Sequence, residues 1–204
     1  MAFGEGFKGF DDSVFDAFEP RKWSSNLFNM ERMTVRDRLR ALGAHLEPVL
    51  TEGRPMQWDV TPHVPSIFNA KSVREMVLYF TRTEAEKKAI SPLLDKKISL
   101  PDQISDAGEH HRHVTLGVRV AQDGLDLGLM MHSWAWLDVM NLLNRCKESF
   151  ELSKFLGELK TLPADLTFRV APDVEILVGE VTAEHLRQLE EAALNAPFVI
   201  RIGR

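Results

Sequence analysis

The sequence lacks the features that identify several large classes of protein. Its single cysteine, Cys146, excludes an intrachain disulfide and any zinc or iron–sulfur site built from several cysteines. No apolar run reaches the roughly 18 residues of a membrane-spanning helix. The N-terminal segment MAFGEGFKGFDDS has Lys8 as its only base and no apolar run of the kind found in a secretory signal. We therefore expect a cytoplasmic protein without a membrane span.

Motifs of several enzyme classes are absent as well. The chain has no GxxxxGK[ST] phosphate loop, no GxSxG nucleophile pattern and no HExxH zinc pattern. With 25 basic and 30 acidic residues the net charge is −5, which disfavours a protein that coats nucleic acid or an anionic membrane. We expect no cofactor, and neither nucleic acid nor membrane among the partners.

The composition is that of a globular protein. Hydrophobic residues make up 44% and charged residues 27% of the 204 residues. This length favours one domain over residues 1–204, preceded by a Phe-rich arm over about residues 1–20. Because exposed aromatic side chains promote aggregation, we expect the arm to contact the rest of the protein or a second subunit. Its aromatic residues are Phe3, Phe7, Phe10, Phe15 and Phe18.

Helical and extended patterns are grouped along the chain and do not alternate strictly. A first helix is predicted from Thr34 until Pro48 ends or kinks it. A second follows a capping box at Thr83 and Glu86 and extends to about Lys97, and a third extends from Ser133 or Trp134 to about Lys147. Two more helices are predicted over 150–160 and 182–195. Strands are predicted over 73–82, 166–170, 174–178 and 198–202. The grouping predicts an α+β fold, with an antiparallel sheet packed against several helices.

The strongest local pattern is a central hairpin, in which two alternating runs flank Asp123-Gly124. A type I′ turn favours this dipeptide because both of its central residues need positive φ. One face of the hairpin is apolar and is predicted to be core: Val114, Leu116, Val118, Val120, Leu125, Leu127, Leu129 and Met131. The other face is more polar: His113, Thr115, Gly117, Arg119, Asp126, Gly128, Met130, His132 and Trp134.

The densest group of metal-ligand residue types is the segment Glu109-His110-His111-Arg112-His113. On a strand His111 and His113 would share a face, and the hairpin would bring His132 within reach of His113. Three imidazoles could hold a divalent ion, and a neutral histidine could act as a general base. The alternative is that these histidines lie at the solvent-exposed start of a strand and have no catalytic or metal-binding role. His111, His113 and His132 are therefore the catalytic candidates, and no metal ligands are assigned.

Arginines supply the candidates for ligand or partner binding. Arg32, Arg36 and Arg40 recur every four residues and so share one face of a helix, where they could hold a phosphate, a carboxylate or an acidic partner. The alternative is a solvated helix face. Arg119 and Trp134, on the polar face of the hairpin, complete this set.

The order of segments resembles that of a known group of proteins. The Phe-rich arm is followed by Trp23 and RMTVRDRLRALGAHLEPVL, and downstream by HVTLGVRVAQDGLDLGLMM leading into a helix. This order is similar to that of the uncharacterised bacterial YktB-like proteins over about two thirds of the chain. The resemblance implies an α+β fold in a bacterial protein, and it supplies no catalytic residues.

Three interpretations of the function remain open. No group of residues has the spacing of a catalytic site, and the proline-bearing segment 51–72 is long, as loops that form binding surfaces often are. We therefore predict a non-catalytic domain that binds a protein partner or a small ligand, an anionic one in particular. The alternative is a metal-dependent hydrolase that uses the three histidines. A third, structural interpretation makes the chain a subunit of a larger assembly, such as a homo-oligomer, in which the arm docks on a neighbour.

Overall fold

The structure, a computed structural model, describes residues 7, 9–94, 108–195 and 199–204. The helices in these ranges are α1 (Asp12–Asp16), α2 (Asn29–Leu50), α3 (Glu84–Leu94), α4 (Trp136–Arg145), α5 (Ser149–Leu159) and α6 (Ala183–Asn195). The strands are β1 (Gln57–Val60), β2 (Glu75–Thr81), β3 (Thr115–Ala121), β4 (Gly124–Met131), β5 (Thr167–Ala171), β6 (Val174–Leu177) and β7 (Ile200–Gly203).

The seven strands form one antiparallel sheet in the order β1-β2-β3-β4-β7-β5-β6, with the predicted hairpin β3–β4 near its centre. The α+β class is thereby confirmed. Of the helices in the described ranges, none is long and apolar enough to cross a membrane. Contacts between Cα atoms divide the chain into two compact units. Unit 1 comprises Met1–Glu109 and Gly117–Asp126, and unit 2 comprises His110–Leu116 and Leu127–Arg204.

In unit 1, the long helix α2 packs on β1 and β2. Its apolar side chains Val35 and Leu39 are fully buried, as is Leu78 of β2. A methyl group at Gly43 would lie only 2.9 Å from the Leu78 side chain. The absence of a side chain at Gly43 therefore lets the helix approach the sheet closely.

The described part of the Phe-rich arm packs within unit 1. Phe18 is fully buried, and its carbonyl accepts a hydrogen bond from Trp23 Nε1 at 2.6 Å. The Phe7 and Phe10 rings meet edge to face at 5.2 Å, and Arg38 of α2 donates to the carbonyl of Gly9. Phe3 lies outside the described residues.

Helix α2 differs at both ends from its prediction. It begins at Asn29, because a 3₁₀ turn over Asn26–Phe28 leads directly into it, and Thr34 Oγ1 donates to the Met30 carbonyl inside the helix. Pro48 does not end the helix, which continues to Leu50. In the last turn, the missing proline N–H costs a single hydrogen bond.

The capping box at Thr83, before helix α3, is present, since Glu86 Oε2 accepts a hydrogen bond from the Thr83 backbone N–H at 2.8 Å. The predicted end of that helix lies outside the described residues.

In unit 2, helices α4, α5 and α6 supply the apolar side chains that bury the strands β4, β7 and β5. Phe168 and Val170 of β5 and Leu189 of α6 are inaccessible, and Ile200 of β7 is nearly so. The register pairs Leu129 with Ile202 and Ile202 with Phe168, so these side chains share one face of the sheet. The predicted strand pair and closing strand correspond to β5, β6 and β7, while Phe198 lies outside the described residues.

The turn of the hairpin is not the predicted type I′. Strand β3 ends at Ala121 and β4 begins at Gly124, so the turn residues are Gln122 and Asp123. Gly124 has positive φ, but Asp123 does not. Since a type I′ turn needs positive φ at both central positions, Asp123-Gly124 cannot be its centre.

Burial along the hairpin also departs from the prediction. Val118, Val120 and Met131 are buried, but Leu125 and Leu127 are 45% and 44% exposed. On the face predicted to be polar, His113 and Thr115 are buried. The start of β3 is held inside unit 2 because Asp138 of α4 accepts a hydrogen bond from the Val114 backbone N–H at 2.7 Å.

Candidate functional site

A column of aromatic rings forms at one end of unit 2, where β4 leads towards α4. The His110 and His111 rings have centroids 4.0 Å apart, and the His111 and His132 rings stack at 4.5 Å with an interplanar angle of 22°. The Trp134 ring meets His132 edge to face at 6.3 Å. We call these three histidines the imidazole stack.

The imidazole stack favours neutral histidines. Burial, and to a smaller extent the neighbouring imidazoles His111 and His132, lower the pKa of His110 to about 3. Burial, with a smaller effect of His111, lowers the pKa of His132 to about 4. His132 Nδ1 accepts from the Trp134 backbone N–H at 3.3 Å, which places the proton of the neutral ring on Nε2.

This arrangement differs from the predicted metal site. His111 lies in a 3₁₀ turn over Glu109–Arg112, not on β3, so it does not share a strand face with His113. The contacts of the stack are between ring faces, whereas a shared metal ion needs nitrogen lone pairs directed at one point. Across the described ranges, no three His, Cys, Asp or Glu side chains could hold one metal ion.

The arginine stripe on α2 is divided among separate contacts in unit 1. Arg32 is completely buried and makes four hydrogen bonds, to the carbonyls of Lys22, Ser25 and His63 and to the Asn29 side chain, at 2.6–2.9 Å. Burial lowers its pKa. These bonds occupy the guanidinium with protein groups.

The two other arginines of the stripe also have protein partners. Arg36 pairs with Asp37 at 3.1 Å, and its Nη1 lies 3.3 Å from His63 Nδ1. Arg40 Nη2 is 3.8 Å from Asp59 Oδ1. The spacing in the sequence therefore identifies a shared helix face. In the structure all three guanidiniums have protein partners, and Arg32 and Arg36 both contact His63.

Arg119, also in unit 1, is surrounded by carboxylates. It donates to Glu75 at 2.7 Å, to Asp126 at 2.6 Å and to Asp123 at 3.2 Å. Burial opposes its charge, but the hydrogen bond and charge of Glu75, followed by Asp126, raise its pKa. Three carboxylates around one guanidinium leave an acidic surface, which does not favour an anionic ligand there.

A cavity of about 570 Å³ lies within unit 2, beside the end of α5. Strand residues lie on one side of this apolar, half-open space, and Phe155, Leu159 and the loop after α5 lie on the other. The lining residues are Leu116, Leu127, Gly128, Leu129, Phe155, Glu158, Leu159, Thr161, Leu162, Pro163, Asp165, Leu166, Ile202, Gly203 and Arg204. The exposure of Leu127, unexpected from the strand pattern, is accounted for by its place on this cavity.

Two glycines bring the strands close together at the cavity. Gly128 of β4 is paired with Gly203 of β7, and a Cβ atom on either would overlap a backbone carbonyl of the opposite strand. Beyond this pair, Leu127 and Arg204 exchange two backbone hydrogen bonds, at 2.7 and 3.0 Å. The strand wall of the cavity is therefore held by regular pairing and does not depend on a mobile loop.

Sequence reasoning missed this cavity because most of its lining residues are ordinary apolar residues, identical in type to core. The sequence offers two signals of the cavity, the two glycines at strand positions and the loop TLPAD after α5, but neither is specific to a cavity. Comparisons with protein-family models, with curated proteins and with solved structures find no match for this chain.

Proposed function

We propose that this protein is a non-catalytic binding module, which holds a small and mainly apolar molecule in the cavity of unit 2. The cavity itself carries the proposal. Its volume of about 570 Å³ falls in the range of roughly 300–1,000 Å³ that is usual for small-ligand sites, and apolar side chains dominate its lining. A few polar groups at Glu158, Thr161 and Asp165 provide the orienting contacts that such sites need.

The packing around the cavity supports a formed site. Behind it, the Phe155 ring meets the inaccessible Phe168 ring edge to face at 6.3 Å, which fixes α5 against the sheet. A ligand entering here would bury the half-exposed Leu127 without rearranging the core. Burial of such apolar surface contributes about 25 cal/mol per Å².

The proposal is tested with the neutral fluorescent probe N-phenyl-1-naphthylamine, whose emission rises in an apolar environment. We expect saturable binding of one probe per chain. Leu127→Asp should weaken binding by at least about tenfold, because it places a carboxylate on the apolar lining, and tenfold corresponds to about 1.4 kcal/mol.

Leu125→Asp is the matched control. Leu125 lies two residues away on the same strand with the same exposure, 45% against 44%, and it does not line the cavity. It should leave probe affinity unchanged. No saturable binding, or equal weakening by both variants, would overturn the proposal.

A further inference from the structure

The charges at the cavity point to the chemical class of its ligand. We infer that the molecule has an apolar body with a cationic end, such as an alkylammonium group, an inference that rests on the binding function proposed for the cavity. Carboxylates outnumber cations among the charged side chains of the lining, and the carboxyl-terminal end of helix α5 meets the cavity.

Three charged side chains line the cavity: Glu158, Asp165 and Arg204. The single cation among them is already engaged, since Arg204 Nη1 donates to Asp165 Oδ2 at 2.5 Å. The Glu158 carboxylate lies 4.0 Å from Lys154 Nζ, at the limit of an ion pair, and both side chains are mostly exposed. Arg204 and Asp165 are mostly exposed as well, and exposed pairs of this kind are weak. With two carboxylates and one guanidinium, the side chains of the lining carry a net charge of −1.

The backbone adds to this negative potential. Helix α5 ends at Leu159, and both Glu158 and Leu159 line the cavity, which therefore meets the carboxyl-terminal end of the helix. Aligned peptide dipoles place a partial negative charge at such an end, which favours cations there. Lys154 and Lys160 lie on or next to this helix but do not line the cavity.

The experiment compares three ligands with the same apolar chain: decylammonium, decanol and decanoate. Each displaces N-phenyl-1-naphthylamine from the full chain at pH 7 and low salt. We expect decylammonium to bind about fivefold more tightly than decanol and decanoate to bind most weakly. Glu158→Gln should remove most of the preference for decylammonium and leave decanol affinity unchanged. Glu148→Gln, at the exposed start of α5 and away from the cavity, should keep the preference.

The outcomes separate the two proposals. Equal affinities for all three ligands, tighter binding of decanoate, or an unchanged preference in Glu158→Gln would overturn the cationic class while leaving apolar binding in place. Failure of both the probe and decanol to bind would instead overturn the binding function itself, and the inference with it.

Discussion

Mild acid should destabilise the protein through the imidazole stack. The pKa of His110 in the folded protein is about 3, against an ordinary value of 6.5, because the ring is buried beside two other imidazoles. At pH 5 the unfolded chain therefore binds a proton at His110 that the folded protein does not. The stability contributed by the neutral ring is complete above pH 6.5 and is lost as the pH falls towards 3.

The size of the effect follows from the two pKa values. Between pH 7 and pH 5, protonation of an unfolded-state imidazole with pKa 6.5 amounts to about 2 kcal/mol. His132, whose pKa of about 4 acts in the same direction, is more exposed to solvent, and we assign it about 1 kcal/mol. The two histidines should therefore lower the free energy of unfolding by about 3 kcal/mol between pH 7 and pH 5, which is a large part of the stability of a typical domain.

The assay is urea unfolding at pH 7 and pH 5, for the wild type and for His110→Phe, which keeps an aromatic ring but cannot be protonated. The variant should lose about 2 kcal/mol less than the wild type on acidification. Trp134→Phe alters a neighbour of the stack without removing a titrating group, so it should shift stability equally at both pH values. The pKa of His63 is also lowered, by burial and by Arg36, but His63 is present in every variant and cancels. An unchanged pH dependence in His110→Phe would refute the reasoning.

Three further predictions concern stability, each measured by urea or thermal unfolding. Arg32→Met should cost about 3 kcal/mol or more, because it leaves three carbonyls without their buried donor, and a loss below about 1 kcal/mol would contradict this. Gly203→Ala should cost about 1–3 kcal/mol by forcing β7 from β4, whereas Gly157→Ala, with open space around it, should be neutral or stabilising. Thr83→Ala should cost about 1 kcal/mol by removing the cap of α3, and no change would show that the capping box is not formed in solution.

The sequence predicted elements well wherever a local pattern decides the structure. The α+β class, β2 and the pairing of β3 with β4 follow from alternation and turn composition, which act over a few residues. The turn itself was misplaced because Asp123-Gly124 also suits other turns, in which the glycine alone takes positive φ.

The candidate site was less predictable, since it depends on contacts between distant segments. Whether His111 stands on a strand or in a 3₁₀ turn is decided by the packing around Val114 and Asp138, which lie 24 residues apart. Helical spacing places Arg32 on one face with Arg36 and Arg40, but it does not show that Arg32 is buried. Apolar residues that line a cavity have the same sequence pattern as residues that fill a core, so the cavity carried no distinct signal.

The surroundings of Arg32 have a consequence for the order of events in folding. Three of its four bonds join α2 to the carbonyls of Lys22, Ser25 and His63, the last of them 31 residues away. The fourth is to the Asn29 side chain of the same helix, and no carboxylate is among the four acceptors. A guanidinium gives up its water only when all these acceptors are in place, so its dehydration should follow the rate-limiting step. We therefore expect substitutions at Arg32 to have φ-values near zero, accelerating unfolding while leaving the folding rate nearly unchanged.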